Sequence, residues 1–350
     1  MRGSGNHGAT ASGVTVLSAE NSSLHDWRPG AHLATLRLRA ELLARIRAFF
    51  AAREVLEVET PLLSAAAITD PHLASFATTY SGPGPRYGQI LYLHTSPEFP
   101  MKRLLAAGSG CIYQIARVFR DGEAGRRHNP EFTLLEWYRV GLDHHRLMAE
   151  VAELVTELLS DRLSLAEPER LSYQEAFQRY LDLNPHRATV AALAACAERC
   201  GVSIPPGMPV DNVDPWLDLL LTHRIEPHLG QGRLCFIYDY PASQAALACL
   251  RPGDPPIGER FELYLHGIEL ANGFHELGDA VEQRRRFAAE NAARQAQGLP
   301  VMPVDENLLA ALAAGLPDCA GVALGFDRLV MLAAGKNSLN EVLAFPFDRA

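Results

Sequence analysis

Residues 112–138 constrain the fold of this chain more than any other stretch. Two apolar ladders, residues 112–119 and 132–138, flank a charged loop. The loop holds three arginines and a histidine: Arg120, Arg126, Arg127 and His128. This arrangement predicts a strand, a loop and a second strand. Cations held on rigid flanks suit a polyanion such as a nucleotide triphosphate. The alternative is a hairpin with a solvated turn.

The second ladder places a carboxylate inside an apolar strand. Because side chains of a strand alternate between its faces, each face can be read from the sequence. One face carries Phe132, Leu134, Glu136 and Tyr138, and the other carries Thr133, Leu135, Trp137 and Arg139. A carboxylate within such a strand needs a partner. Glu136 and Tyr138, beside an aromatic ring, therefore predict a pocket for an amine.

Size and composition are those of an ordinary water-soluble protein. The 350 residues, 48% of them hydrophobic, can form one large domain or two small ones. No run approaches the roughly 20 apolar residues of a membrane span, so we expect no membrane partner. A net charge of −9 argues against a large nucleic-acid footprint. It leaves room for a local basic patch.

The composition of the first 30 residues bears on where the folded domain begins, and the spacing of the cysteines bears on the cellular compartment. Residues 1–30 are rich in Gly, Ser, Asn and His and lack an apolar stretch, so we interpret them as a flexible tail rather than a signal peptide. Residues 31–350 then form the folded domain. The six cysteines show no complete zinc-site spacing, and we expect reduced thiols in a cytoplasmic protein.

Hydrophobic periodicity predicts helices alternating with strands. The predicted helices cover residues 36–52, a segment after Glu98, most of 142–180, an insertion at 187–227 and the final helix at 327–334. The predicted strands cover residues 55–61, 89–95, 112–119, 132–138, 234–238 and 260–268. Ser172 and Glu175 have the spacing of a capping box. Together these elements indicate an α+β domain, an antiparallel β-sheet flanked by helices.

Two carboxylates follow the last internal strand. Glu269 and Glu276 are expected on one turn-linked unit directly after residues 260–268. Two carboxylates near a phosphate site can share Mg²⁺, a hard cation that prefers oxygen ligands. The alternative, two solvated carboxylates at a turn, is equally compatible with the sequence.

A glycine-bearing segment leads into the final helix. Gly321 and Gly325 allow a close approach to the backbone, where a flat ring could lie. Arg328 follows at the start of the helix and could hold a phosphate or stack on a ring. A strand-to-helix turn with glycines is also common in proteins for packing reasons alone. The segment therefore indicates a function only in combination with the charged loop and the two carboxylates.

In order along the chain, these motifs resemble the catalytic domain of class II aminoacyl-tRNA synthetases, and its lysyl branch in particular. Residues 57–61 (Glu-Val-Glu-Thr-Pro) resemble the first motif of the class, which packs the dimer interface. Residues 95–98 resemble its amino-acid-binding strand end. Residues 120–132 and 321–328 resemble the second and third motifs. The resemblance covers residues 31–350 and implies a homodimer that uses ATP and Mg²⁺.

The resemblance is closer still to one branch of that class, the ligases that attach (R)-β-lysine to translation elongation factor P. The catalytic domain begins almost at once, with no room for an anticodon-binding domain. Residues 69–73 (Thr-Asp-Pro-His-Leu) replace a glycine/alanine-rich segment. Ala323 stands where lysyl-tRNA synthetases carry glycine, which fits the choice of a β-amino acid. The resemblance implies (R)-β-lysine or lysine as the small-molecule substrate, elongation factor P as the acceptor and no tRNA.

The resemblance also implies roles for individual residues. Arg120 would bind the substrate carboxylate and the α-phosphate, and Arg120, Arg328 and Glu276 are the implied catalytic residues. The implied ATP-binding residues are Arg120, Asp121, Gly122, Glu123, Asn129, Phe132, Glu269, Leu270, Gly325 and Arg328. The implied substrate-binding residues are Ser96, Pro97, Glu98, Glu136, Tyr138, Glu276 and Ala323. Glu269 and Glu276 are the implied metal ligands. The family's Arg-x-Glu is shifted by one residue here, so the adenine contact stays open among Asp121, Gly122 and Glu123.

Two rival functions remain at this point. One is an enzyme that passes the activated amino acid to tRNA, a truncated lysyl-tRNA synthetase. The other is an inactive relative that binds and regulates a partner. The complete set of Arg120, Glu269, Glu276 and Arg328 argues against an inactive relative.

Overall fold

The computed structural model describes residues 27–350. In this range the strands are β1 (Leu56–Glu57), β2 (Leu63–Ser64), β3 (Ala77–Thr79), β4 (Ile90–Leu93), β5 (Ile112–Phe119), β6 (Glu131–Val140), β7 (Ala166–Ser172), β8 (Arg233–Pro241), β9 (Leu250–Arg251), β10 (Ile257–Leu265), β11 (Ile268–His275) and β12 (Cys319–Gly325). The α-helices are α1 (Leu33–Ala51), α2 (Glu98–Ala106), α3 (His144–Leu159), α4 (Tyr173–Leu181), α5 (Val190–Arg199), α6 (Asp214–Leu220), α7 (Ala280–Ala296), α8 (Glu306–Gly315) and α9 (Phe326–Ala333).

The large sheet follows the order β1-β5-β6-β12-β11-β10-β8-β7, with β9 paired to β10. Its central pairs are antiparallel, which confirms the predicted α+β architecture. The pairs at its two ends, β1 with β5 and β7 with β8, are parallel. Parallel neighbours need a crossover connection, and sequence periodicity gives no direct sign of one. A small second sheet has the order β2-β4-β3.

The predicted alternation of β6 is confirmed. Leu135 and Trp137 are buried in the main core together with Phe50 of α1 and residues of α3 and α9. On the opposite face, Leu134 and Phe132 pack with Ala116, Val118 and Ala323. The helices therefore cover one face of the sheet and leave the Glu136 face for a pocket.

The predicted turn-linked unit at residues 269–276 is wrong. Residues 268–275 form β11, which pairs with β10 on one side and β12 on the other. Only Gly267 and its neighbour His266, both at positive φ, make the tight hairpin from β10. Asn272 and Gly273 lie in the middle of the strand. Because both residue types are common in turns, they obscured the alternating pattern of a strand in the sequence.

The helical prediction for residues 142–180 is correct only in part, because β7 interrupts it between α3 and α4. The capping box is confirmed: Ser172 Oγ accepts from the backbone N–H of Glu175, and the Glu175 side chain accepts from that of Ser172. Residues 187–227 contain α5, α6 and a π-helical turn, Leu221–Ile225. These helices and α4 bury a second apolar cluster against β8.

The predicted tail lies mostly outside the described residues, since only residues 27–30 of it are seen. Gly30 is already joined to the C-terminal segment, where its backbone N–H donates to the carbonyl of Ala344 at 2.8 Å. All six cysteines are free thiols. Within residues 27–350 no helix has both the length and the apolar character that a membrane crossing would require.

Candidate active site

Two connected chambers open on the outer face of the sheet, where β6, β12 and β11 run side by side. Both chambers are lined by Asp70, Leu73, Arg120, Asn272 and Ala323, which therefore mark their junction. The larger chamber has about 390 Å³ of space for water-sized molecules, and the smaller about 140 Å³. If a substrate had one part in each chamber, the two parts would meet beside Arg120.

Glu136 lies on the wall of the smaller chamber and is only 2% exposed. Its carboxylate accepts hydrogen bonds from the hydroxyls of Ser96 at 2.7 Å and Tyr138 at 2.6 Å. Among the described residues it forms no salt bridge. Burial first, and the Glu98 carboxylate second, raise the pKa of Glu136 to about 8. A bound cation would relieve this unfavourable charge.

A buried lysine, Lys102, contacts two of the carboxylates that line the same chamber. The ammonium of Lys102 lies 2.5 Å from Glu98 and 2.7 Å from Glu276. Burial opposes its charge, but these two carboxylates hold the pKa of Lys102 above its usual value. Sequence reasoning missed Lys102, although its position four residues after Glu98 on a predicted helix is a signal that could have found it.

The smaller chamber therefore carries an excess of negative charge. Glu98, Glu136 and Glu276 supply three carboxylates, and Lys102 supplies one ammonium group. Burial raises the pKa of Glu276 to about 7, while Lys102 opposes that rise. With these four groups ionised, two negative charges remain unmatched among them; Glu290 adds a further carboxylate to the wall, and Arg120 lies at the junction. This arrangement suits a ligand with two ammonium groups.

Two further residues of this chamber had no sequence signal. Glu290, on α7, lines the chamber and accepts a hydrogen bond from the hydroxyl of Thr69. Burial raises the pKa of Glu290 to about 7. Arg294, one turn later on α7, donates to the carbonyls of Asp70 and Leu73. Helix α7 thus fixes the segment at residues 69–73 over the junction.

Gly321 serves the smaller chamber by its lack of a side chain. A Cβ at this position would collide with the ring of Tyr138 and the carboxylate of Glu276. The expected flat ring against this backbone is therefore a wrong interpretation of Gly321, because protein side chains already occupy that space. Gly325 has room around its Cα and lines the larger chamber.

The larger chamber is rich in cations. The guanidinium carbon of Arg120 lies 5.0 Å from the ring centroid of Phe132, and the Nε of Arg120 is buried without a hydrogen bond to any described residue. Burial first, then the neighbouring Arg126 and Arg328, lower the pKa of Arg127. Burial and Arg328 also lower the pKa of His128. Crowded cations of this kind attract a phosphate chain.

Arg328, near the start of α9, is held from several sides. Its guanidinium donates to the backbone carbonyl of Glu269 at 2.8 Å and lies 3.5 Å from the carboxylate of the same residue. It also contacts the His128 ring at 2.9 Å. The next residue back, Asp327, accepts from the backbone N–H of Thr133 and so ties α9 to β6. This places the Arg328 guanidinium firmly in the larger chamber.

The two proposed metal ligands lie in different chambers. Glu269 is the second residue of β11 and Glu276 follows the end of the strand, so seven residue steps separate them by roughly 20 Å. Ligands of one Mg²⁺ lie within about 4 Å of each other, because each metal–oxygen distance is about 2.1 Å. The idea that one ion is shared by both is therefore wrong. Glu276 is instead paired with Lys102.

The remaining predicted residues are distributed around the chambers. Glu123 lines the larger chamber 3.6 Å from Arg120, whereas Asp121 is exposed and uses its backbone N–H to bind the carbonyl of Ala74. Gly122 adopts a positive φ of 80° in the turn. Leu270 lines the larger chamber. Pro97 is buried at the start of α2.

Asn129 also lines the larger chamber, but both ends of its amide are already bonded. Its oxygen accepts from the backbone N–H of Phe347 at 3.0 Å, and its nitrogen donates to the carbonyl of Glu131 at 2.6 Å. The amide therefore holds the loop against the C-terminal segment. Its contact with a nucleotide stays a prediction.

Comparison with known proteins agrees with this geometry. The family model "tRNA synthetases class II (D, K and N)" matches residues 19–349. The chain belongs to this family. The resemblance seen in the sequence is thereby confirmed for the class, and the two chambers are those of a class II synthetase-like domain.

Relatives within the family share more than half of their residues with this class II member. A protein of Vibrio cholerae serotype O1 is 53% identical over 325 residues, which are 93% of this chain and 99% of the relative. One of Yersinia enterocolitica serotype O:8 is 53% identical over 329 residues, 94% of this chain and 100% of the relative. Both relatives are named elongation factor P–(R)-β-lysine ligase. The closer resemblance to this branch is confirmed as well.

Proposed function

We propose that this class II family member is an ATP-dependent ligase acting on elongation factor P. It activates (R)-β-lysine or lysine as an aminoacyl-adenylate and transfers it to a lysine side chain of that acceptor. The excess negative charge of the smaller chamber carries the proposal, since it matches a diamino acid. Arg120 at the junction would hold the substrate carboxylate beside the phosphates. The names of the relatives support the same reaction.

The first step needs no general base. A carboxylate of reference pKa near 3.5 is already ionised at neutral pH. Its oxygen attacks the α-phosphorus of ATP, the bond to the β-phosphate oxygen breaks, and pyrophosphate leaves. Arg120 stabilises the negative charge at the α-phosphate, and Arg328 and Arg127 hold the outer phosphates. Phe132 would stack on the adenine ring, with Glu123 close to its edge.

Residues present in the larger chamber fit Mg²⁺. Partial desolvation, followed by the carboxylate of Glu262, raises the pKa of Glu269, so a nearby cation would stabilise its ionised form. We propose Glu269 as the protein ligand. When bound, Mg²⁺ would neutralise phosphate charge. Glu276 has no part in this site.

The second step transfers the aminoacyl group to the acceptor. The ε-amine of the acceptor lysine, of reference pKa about 10.4, must lose a proton before it attacks the adenylate carbonyl. An amide bond forms, the bond to the phosphate oxygen breaks, and AMP leaves. The proton acceptors at hand are the leaving phosphate oxygen and the chamber carboxylates.

We also infer that the protein is a cytoplasmic homodimer. Leu56, Leu62, Leu63 and Ile90 expose between 40% and 55% of their surfaces along the first motif and the small sheet. Apolar patches of this kind mark protein interfaces. Six free cysteines and an acceptor that is a translation factor support the cytoplasm. Light scattering should give twice the chain mass of 38.3 kDa, and a monomer would contradict the dimer.

Mass spectrometry of elongation factor P tests the function directly. Incubation of the acceptor with enzyme, ATP and (R)-β-lysine should add one aminoacyl group to one lysine. Parallel reactions with lysine, and with total tRNA in place of the acceptor, separate the rival functions. Strong charging of tRNA with an unmodified acceptor would overturn the proposal. Absence of amino-acid-dependent pyrophosphate exchange would point to an inactive relative.

Ala323→Gly should shift selectivity toward lysine. Ala323 lines both chambers and pairs with Glu136 across the strands, so its methyl group shapes the floor on which the amino acid lies. A methyl group in a pocket is worth about tenfold or more in discrimination. Relative kcat/KM for lysine against (R)-β-lysine in pyrophosphate exchange measures the shift. Ala320→Gly, on the same strand but buried in the core, is the matched control.

Affinity for the amino acid should rise with pH. The pKa of Glu136 is about 8 in the empty site, so below pH 8 the carboxyl must first lose a proton to receive an ammonium group. The substrate ε-ammonium stays charged to about pH 10. At saturating ATP, the KM for the amino acid should therefore fall between pH 6.5 and 8.5, approaching ~tenfold per unit at the acid end. A KM that does not change over this range would refute the assignment.

A further inference from the structure

A second group of chemistry-bearing side chains lies away from both chambers, where α3 meets β8. His144 and His145 open α3, and Asp239 lies near the end of β8. One ligand atom from each of these three residues lies within 4.8 Å of the other two. Neither the nucleotide nor the amino-acid substrate of the proposed reaction would reach them. The group therefore needs its own explanation.

Three buried polar atoms of this group make no hydrogen bond to a residue in the described range. His144 is 1% exposed, and neither of its ring nitrogens makes a hydrogen bond to a described residue. One carboxylate oxygen of Asp239, Oδ1, is likewise buried without such a bond, and it lies 3.5 Å from His144 Nε2. The other oxygen of Asp239 is bound by Arg251. Buried histidine nitrogens without partners are rare, because each costs free energy.

The backbone of Asp239 shows a related feature. Its φ is +61°, a conformation that non-glycine residues seldom adopt and that aspartate and asparagine tolerate best. The conformation turns the carboxylate of β8 toward α3. The strand thus places Asp239 Oδ1 3.5 Å from the Nε2 of His144.

Nitrogen from two histidines and oxygen from one carboxylate is a donor set that Zn²⁺ favours. In a tetrahedral site with bonds of about 2.1 Å, ligand atoms lie about 3.4 Å apart. The three atoms would have to approach by only about an ångström. The rings of His144 and His145, with centroids 4.1 Å apart, are already side by side.

A neighbouring triad shares His144 but is less available. His144, Glu259 and His275 also satisfy the 4.8 Å condition. Both ring nitrogens of His275, however, are engaged, at 2.5 Å from Glu259 and 2.7 Å from Asp318. These bonds would have to break before His275 could bind a metal ion. The unpaired atoms therefore favour the first triad.

We propose that His144, His145 and Asp239 form a site for one Zn²⁺ ion, with its fourth position open to water. The positive end of α3 and Arg251, which binds the other oxygen of Asp239, oppose a cation. The carboxylates of Asp143, Glu259 and Asp318 lie around the group and offset them. Bound metal joins the start of α3 to the end of β8. The site is independent of the ligase reaction, and its test uses neither ATP nor an amino acid.

Isothermal titration of the full-length, tag-free protein with ZnCl₂, after removal of metal by chelator, tests the site. We expect one zinc ion per chain, and a visible absorption band typical of four-coordinate Co²⁺ when CoCl₂ replaces zinc. His145→Ala and Asp239→Asn should weaken binding at least tenfold. His145 is half-buried and asparagine tolerates the positive φ of residue 239, so both variants should fold, as circular dichroism would verify.

Matched controls separate this site from other zinc ligands. Asp182→Asn changes another aspartate at positive φ (53°), and His223→Ala removes an exposed histidine whose Nδ1 bonds to the carbonyl of Leu219. Both should bind zinc as the parent does. Absence of zinc binding by the parent overturns the proposal, and so does unchanged binding by His145→Ala and Asp239→Asn. Loss of binding in His275→Gln but not in His145→Ala would move the site to the other triad and overturn the assignment.

Discussion

Arg120→Ala is expected to lower amino-acid-dependent pyrophosphate exchange about 10²–10³-fold while the fold stays intact. Arg120 lies at the junction of the chambers, and its Nε makes no hydrogen bond to any residue in 27–350. Its planar fork can hold the substrate carboxylate and the α-phosphate together, at the point where the new bond forms. Arg120→Lys keeps the charge but not the fork, so it should restore only a small part of the rate.

Arg117→Ala provides the control for that prediction. Arg117 is an exposed arginine on β5, three residues before Arg120, and lies 3.6 Å from Glu131 rather than in a chamber. We expect its exchange rate to equal that of the parent. Thermal unfolding of each variant checks the fold. Near-normal exchange by Arg120→Ala would remove the central element of the proposed mechanism.

Glu136→Gln is expected to lower kcat/KM for the amino acid about 10²–10³-fold and to leave the KM for ATP nearly unchanged. The substitution keeps the shape of the side chain but leaves a buried substrate ammonium group without its counter-charge, which costs several kcal/mol. The matched control is Glu150→Gln. Glu150 is a buried carboxylate on the other side of β6, bonded to Trp137 at 3.0 Å, and its removal should leave the amino-acid KM unchanged.

The Glu136→Gln variant should be more stable than the parent at alkaline pH when no substrate is present. The pKa of Glu136 is raised from its usual 4.5 to about 8 in the folded state. The unfolded chain therefore loses this proton first, and the stability of the parent falls as pH rises from about 4.5 to 8. Glutamine cannot ionise, so the melting temperature of Glu136→Gln should gain on the parent across that range. A constant difference would show that Glu136 ionises freely in the empty site.

The position of Glu136 and Tyr138 on one face was predictable from residues alone, because side chains alternate along a strand. The order and direction of the strands in the sheet could not be predicted in the same way. Its parallel end pairs depend on crossovers, and β11 carries Asn272 and Gly273, which disguise a strand as a turn. That error led to the shared metal ion at Glu269 and Glu276. A correct strand would have separated the two carboxylates at once.

Other residues of the site depend on tertiary contacts that leave no local pattern. Glu290 comes from α7 and meets the chamber only through the packing of that helix over residues 69–73. The sequence predicted a close approach to the backbone at Gly321, but it could not show that the approaching groups are the side chains of Tyr138 and Glu276. Lys102 could have been predicted as the partner of Glu98, because it lies four residues later on the same helix. The roles of Arg120, Phe132 and Arg328 came from the family resemblance.

Ala323 pairs with Glu136 on one side and Asn272 on the other, and its side chain borders both chambers. In the proposed mechanism, recognition of the amino acid and binding of ATP therefore depend on the same methyl group on one strand. A change of residue made to admit a new amino acid will also alter nucleotide affinity. Engineers who retarget this enzyme should accordingly optimise position 323 together with its neighbours, judging each variant by both substrates at once.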